Sequence, residues 1–191
     1  MKIGLYFGSF NPVHIGHLII ANHMAYNTNL DQVWFVVSPQ NPFKTSASLL
    51  NEYNRLHMIK SAIEGEKKLR ASSVEFKLPR PSYTVDTLAY LKDKHPAHEF
   101  SIILGSDGFQ NIKKWKNYRV ILDNYMILIY KRPGFEVAPE FSSPEIIIAE
   151  APLLDISSTR IREMVRERKT PRYLVPDIVL EEIERNGYYR T

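Results

Sequence analysis

Residues 2–18 read KIGLYFGSFNPVHIGHL, and this stretch decides the fold. KIGLYF (2–7) is an apolar run of strand length. Gly8, Ser9 and the Asn11-Pro12 pair then suit a tight turn, and LIIANHMAY (18–26) continues as a helical pattern. A strand that hands over to a helix through a short turn is the opening unit of an α/β fold. His14 and His17 fall three apart, on one side of the first helical turn. The free N–H groups of a helix start and the positive end of its dipole favour an anion. A phosphate held between those amides and two imidazoles is the natural occupant. Gly16 removes a side chain between the histidines, so a bulky ligand can approach the backbone.

Other readings of the pair are open on these residues alone. Zinc lacks a third ligand nearby, and a helical zinc pair is usually spaced i, i+4. Neither a Walker A loop nor G-x-G-x-x-G is present. An isolated H-x-x-H could also be one capping histidine and one core histidine.

Working outward, further strand-length apolar runs are QVWFVV (32–37), EFSIILG (99–105), YMILIY (125–130) and EIIIA (145–149). Runs that are apolar almost throughout suit parallel strands covered on both faces. Helical patterns lie between them at 51–64, 84–94, 158–168 and 176–187. The last opens with Pro176 at the first helical position and stops at Gly187. The expectation is an α/β fold: a Rossmann-like, doubly wound parallel sheet with helices on both faces and a C-terminal helical segment from about 157. Residues 1–191 read as one domain, and no repeat or low-complexity tract interrupts them. In such folds ligands sit at the carboxyl ends of the strands, which is where GSFNPVHIGH lies.

The chain has no cysteine, which excludes disulfides, thiolate catalysis and zinc-thiolate sites. The five-residue apolar run at the start is too short for a signal peptide, and no run approaches the ~18 residues of a membrane span. A cytoplasmic setting with no membrane partner follows. The 25 basic residues exceed the 21 acidic ones only slightly, and they are spread along the chain. That suits anionic small ligands better than nucleic acid.

A second motif is ISSTRIR (156–162). Ser157, Ser158 and Thr159 are N-cap candidates for the helix that follows. Arg160 and Arg162 place cations at the positive end of its dipole, an arrangement that a bound triphosphate would relieve; a solvated basic helix face is the other reading.

GSFNPVHIGHL resembles the signature of the H-x-G-H nucleotidyltransferase superfamily, and the other segments narrow the resemblance. ISSTRIR, PSYTVDTL (81–88), LGSDGFQNIKKW (104–115), KRPG (131–134) and NPFK (41–44), the last followed by Arg55-Leu56 as a basic substrate loop, together are similar to bacterial nicotinate mononucleotide adenylyltransferases. Phe43 departs from the histidine that many members carry before the lysine. Asn11 replaces an aspartate common there.

The resemblance implies transfer of the adenylyl group of ATP to nicotinate mononucleotide, with pyrophosphate released and Mg²⁺ accompanying ATP. It implies that Gly8, Ser9, Phe10, His14, His17, Gly105, Asp107, Ile156, Ser157, Ser158 and Arg160 meet ATP, with His14, His17 and Arg160 catalytic. Lys44, Thr84, Asp86, Trp115, Tyr118 and Arg132 would meet the mononucleotide, Trp115 by stacking on its ring. Asp107 could also be a helix N-cap, and Thr84 could cap the helix at 84–94. The alternatives are an adenylyltransferase with another acceptor, nicotinamide mononucleotide or phosphopantetheine, or a nucleotide-binding sensor without turnover. A homo-oligomer is left open.

Overall fold

The computed structural model describes residues 1–40, 49–135, 137, 146–149, 151–152 and 155–190. Strand β1 (Lys2–Gly8) leads into helix α1 (Ile15–Asn27), then β2 (Gln32–Val37), α2 (Glu52–Ala62) and β3 (Leu69–Ser72). A 3₁₀ turn (Val74–Lys77) precedes α3 (Thr84–Lys94) and β4 (Glu99–Gly105). The short α4 (Ser106–Phe109), α5 (Tyr118–Asn124), β5 (Ile127–Tyr130) and β6 (Ile146–Ala149) follow, then α6 (Ser158–Arg166) and α7 (Asp177–Asn186). The six strands form one parallel sheet in the order β3-β2-β1-β4-β5-β6. This is the Rossmann order, with its switch point between β1 and β4.

The strands alternate between two cores, as a two-residue side-chain period requires. Tyr6, Phe35, Ile103 and Leu128 face one core with Met24, Ile59, Ile161 and Ile183 from α1, α2, α6 and α7. Leu5, Trp34, Ile102 and Ile127 face the other with Leu88, Leu91 and Ile121 from α3 and α5. Helices therefore cover both faces, as the apolar runs require. Among the described residues no helix is long and apolar enough to cross a membrane.

Four elements differ from the sequence expectations. β3, with the sequence LRAS, lies at the sheet edge and is only partly buried, so it carries no apolar run. α4 and α5 are too short for helical periodicity to show. Pro176 is the N-cap of α7 rather than its first helical residue, while Gly187 ends the helix with a left-handed φ of 65°.

Candidate active site

A cavity of about 740 Å³ opens at the carboxyl ends of β1 and β4. Gly8, Ser9, Phe10, His14 and His17 form one side, and Ile156, Ser157 and Ser158 face them. Gly105, Asp107, Trp115, Thr84 and Arg132 line the remainder. The switch point thus gathers segments that are far apart in sequence.

The histidine turn is built by reciprocal capping. His14 is the N-cap of α1, and its Nδ1 accepts from the His17 N–H at 3.3 Å. His17 Nδ1 accepts from the His14 N–H, also at 3.3 Å. The rings stack with centroids 3.6 Å apart. Both Nδ1 atoms therefore act as acceptors, so a neutral ring carries its proton on Nε2 and can donate there. Phe10 and Tyr6 support the His17 ring edge-on at 5.0 and 6.0 Å. Gly16 has a different reason from the expected one. A Cβ there would lie 3.1 Å from His14 Nδ1, so the missing side chain seats the His14 ring rather than a ligand.

His14 is buried, and burial, reinforced by the Arg132 guanidinium, lowers it from 6.5 to about 3. It is thus neutral at physiological pH and acts as a hydrogen-bond donor, not a cation. The linkage has a definite sign. Below about pH 6.5 the unfolded chain takes up a proton that the folded chain refuses. Stability is full above that pH and falls as pH drops toward 3. Between pH 7 and pH 5 the wild type should lose ~2 kcal/mol more than His14→Gln, at 1.36 kcal/mol per unit below 6.5. Urea denaturation at the two pH values measures this; equal losses would contradict it.

The opposite wall starts at Ser157, the N-cap of α6, whose hydroxyl oxygen accepts from the Arg160 N–H at 3.2 Å. Ser158 donates to the Pro12 carbonyl at 2.8 Å and so ties the second motif to the first. Of the two arginines, Arg162 lines the cavity, with Nη1 donating to the Asn11 carbonyl at 2.7 Å. Arg160 does not line it. Its guanidinium lies 3.5 Å from Glu163 and 4.0 Å from Glu167, which relieves the charge at the helix start without a ligand. Contact with a triphosphate would require this side chain to leave those carboxylates.

Asp107 is the second residue of α4, whose N-cap is Gly105, so the alternative reading of Asp107 as a cap is corrected. Its carboxylate lies 3.4 Å from Arg132 Nε. Thr84 is the first residue of α3 and does not cap it; the N-cap is Tyr83. The amides of Asp86 and Thr87 turn back to the Tyr83 carbonyl, which leaves the earlier amides at the cavity. Trp115 lines the same end. Asp86 does not line the cavity. It binds Lys116 Nζ at 2.9 Å, and Lys116, on the cavity wall, lies over the Tyr83 ring. Tyr118 also lies off the cavity, packed into the second core with its hydroxyl 3.3 Å from Arg119 Nε. Lys44 and Phe43 fall outside the described residues.

Sequence reasoning misses two supports, Tyr189 and Glu75, and places a third, Arg55, with a basic substrate loop instead. Arg55 is completely buried and donates to the main-chain carbonyls of Leu50, Ser9, Ser38 and Pro39. Tyr189, near the end of the chain, donates to Asn11 Oδ1 at 2.9 Å, and Asn11 Oδ1 also accepts from the Leu50 amide. Glu75 is buried beside Thr84. A glutamate between the predicted elements reads as a surface residue, and nothing local marks Glu75 otherwise.

The Cytidylyltransferase-like family profile matches residues 5–164. A Flavobacterium psychrophilum protein named "Probable nicotinate-nucleotide adenylyltransferase" is 50% identical over 192 residues, covering 100% of both chains. A Cytophaga hutchinsonii protein of the same name is 51% identical over 189 residues, covering 99% of this chain and 98% of that one. Among solved structures, Plasmodium falciparum nicotinic acid mononucleotide adenylyltransferase complexed with NaAD superposes with a TM-score of 0.84. It covers 98% of this chain and 97% of its own at 20% identity, a likeness of fold.

Proposed function

Because the chain belongs to the nicotinate-nucleotide adenylyltransferase family, we infer that its cavity joins ATP to nicotinate mononucleotide, giving nicotinate adenine dinucleotide and pyrophosphate. The chain is thus a nucleotidyltransferase of NAD biosynthesis. We place it in the cytoplasm, with no nucleic-acid or membrane partner.

The observation that carries the reading is the pairing of two built ends in one cavity. One end is the histidine turn beneath the Ser157–Ser158 wall. The other is the α3 N-terminus beside Trp115. A phosphate oxygen of the acceptor, ionised near neutral pH, attacks the α-phosphorus of ATP. The new bond joins that oxygen to the α-phosphorus, and the bond from the α-phosphorus to the bridging oxygen of pyrophosphate breaks. No protein nucleophile is needed, so the residues contribute positioning and charge stabilisation. His14 and His17 donate from Nε2 to phosphate oxygens on which charge develops. The amides of Gly8 to Phe10 and of the α6 start, with Arg162 close by, take the rest of the triphosphate. Arg160 joins them only after leaving Glu163. Asp107, held by Arg132, accepts from ribose hydroxyls.

The acceptor's ring carboxylate fits the free amides at the start of α3, where the helix dipole favours an anion. Trp115 stacks on the pyridine ring. Asp86 acts indirectly, by holding Lys116 on the cavity wall. Lys44 takes the acceptor phosphate, and Tyr118 supports Trp115 from the core side.

Among the described residues no group of three or more metal-ligating side chains forms. Mg²⁺ carried by the triphosphate and water is compatible with that donor set. When bound, Mg²⁺ would neutralise charge on the phosphates.

A crystal structure with nicotinate mononucleotide tests the reading. The pyridine ring is expected against Trp115, with its carboxylate on the Thr84 amide; a ring elsewhere in the cavity would overturn it.

A further inference from the structure

Glu75 sits on the 3₁₀ turn after β3, in none of the roles assigned above. It is 1% exposed, yet it lines the cavity beside Ser38, Ser82, Tyr83 and Thr84. Its Oε1 accepts from the Thr87 hydroxyl at 2.9 Å. The hydroxyls of Ser38 and Ser82 lie close enough to favour the carboxylate, although Oε2 completes no hydrogen bond and neither does Ser82 Oγ. One buried carboxyl thus links its own turn to three other segments: the end of β2 at Ser38, the loop at Ser82, and α3 at Thr87. The Ser82 amide also donates to the Gln40 carbonyl at 3.1 Å, and Ser38 is fixed by Arg55 below.

A buried acid is costly, and a conformation-setting role is one reason such groups are kept. Its location supplies the role here. Tyr83 and Thr84 lie between the two residues that it touches on that side, Ser82 and Thr87. Any shift of the carboxyl is therefore transmitted to the first turn of α3. We propose that Glu75 is a positioning residue for the acceptor: its carboxyl clasps the Ser82–Thr87 segment to the end of β2 and aims the α3 amides at the acceptor's ring carboxylate. Burial pushes the carboxyl up from its ordinary range. The proposal rests on the acceptor site inferred above.

The test compares purified wild type with Glu75→Ala, Glu75→Gln and Thr87→Val. Pyrophosphate release is measured with ATP and either nicotinate mononucleotide or its amide. Glu75→Ala is expected to raise the KM for the acid acceptor roughly tenfold or more, because a small misplacement of a binding group is amplified. The KM for ATP and kcat at saturating acceptor should stay within about twofold, the pattern of lost ground-state binding. The acid-to-amide ratio of kcat/KM should fall. Glu75→Gln keeps the shape and one acceptor for Thr87, and should restore the acid KM to within about threefold of wild type. Thr87→Val removes the donor and should move the ratio in the same direction as Glu75→Ala.

An unchanged acid KM and ratio in Glu75→Ala overturn the proposal. So does a rise in both KM values together with a fall in kcat, the mark of general disruption. If Glu75→Ala does not fold, Thr87→Val decides, and a wild-type ratio in that variant overturns the clasp. A wild type that releases no pyrophosphate with the acid acceptor removes the acceptor site itself, and the clasp with it.

Discussion

Replacing His17 with alanine should lower kcat/KM by about 10²–10³ while the protein stays folded. That magnitude is typical for removing one preorganised donor aimed at developing charge. The site gives His17 this weight. Its Nδ1 is committed to the His14 amide, and its ring is held edge-on by Tyr6 and Phe10. The Nε2 donor is therefore fixed before substrate arrives. The same residue completes one arm of the α1 cap, so His17→Ala also loses ~1 kcal/mol of stability. Circular dichroism and thermal unfolding separate the two effects. A folded His17→Ala with near-normal turnover would remove the histidine turn from the chemistry. His14→Ala is the less informative variant, because the N-cap and the donor disappear together.

The largest expected effect on stability belongs to Arg55. Its guanidinium is completely buried and donates to four main-chain carbonyls: Ser9 after β1, Ser38 and Pro39 after β2, and Leu50 before α2. Arginine stays charged in such places. Its alanine variant leaves those carbonyls buried without a donor and opens a large void. Hydrogen bonds to a charged group are worth ~1.5–3 kcal/mol each, and the losses are not additive. A total of ~3–5 kcal/mol is expected, which lowers Tm by roughly 10 °C for a chain of this size. Arg55→Lys keeps the charge but cannot reach all four acceptors with one ammonium, so it should recover only part of the loss. A Tm shift below about 3 °C for Arg55→Ala would show that the carbonyls find other donors. Because Ser9 lines the cavity beside the histidine turn, turnover should fall in the same variant even below its melting range.

The parts legible in the sequence are those whose signal is local. β1, β2, β4 and β5 are buried apolar runs, β6 is an apolar run at the sheet edge with Ile147 and Ile148 exposed, and the βα order forces a parallel sheet. The strand–turn–helix unit of GSFNPVHIGH was legible because its parts are contiguous. β3 was hidden because an edge strand of sequence LRAS is partly exposed and has no apolar run. The arginines of ISSTRIR show a finer limit. Arg160 and Arg162 are two residues apart, about 200° around a helix, so one faces the cavity and the other faces away. Sequence alone favoured Arg160, whereas Arg162 lines the cavity and Arg160 pairs with Glu163. The phase of α6 follows from Ser157 as N-cap and from the burial of Ile161, which only packing reveals. The supporting roles of Arg55, Glu75 and Tyr189 were illegible for the same reason. Each depends on a partner 12 or more positions away, Ser9, Thr87 and Asn11 respectively, that the fold alone brings near.

The most direct measurement is a paired acceptor assay on the full chain. ATP and Mg²⁺ are presented with nicotinate mononucleotide, nicotinamide mononucleotide or phosphopantetheine, and both pyrophosphate and the adenylylated product are followed. A cavity that meets a ring carboxylate with helix amides should turn over the acid with kcat/KM at least about tenfold above the amide, since the amide leaves charge-assisted hydrogen bonds unmade, and should leave phosphopantetheine untouched. ATP binding with no pyrophosphate from any acceptor, or turnover that favours another acceptor over the acid, would contradict it.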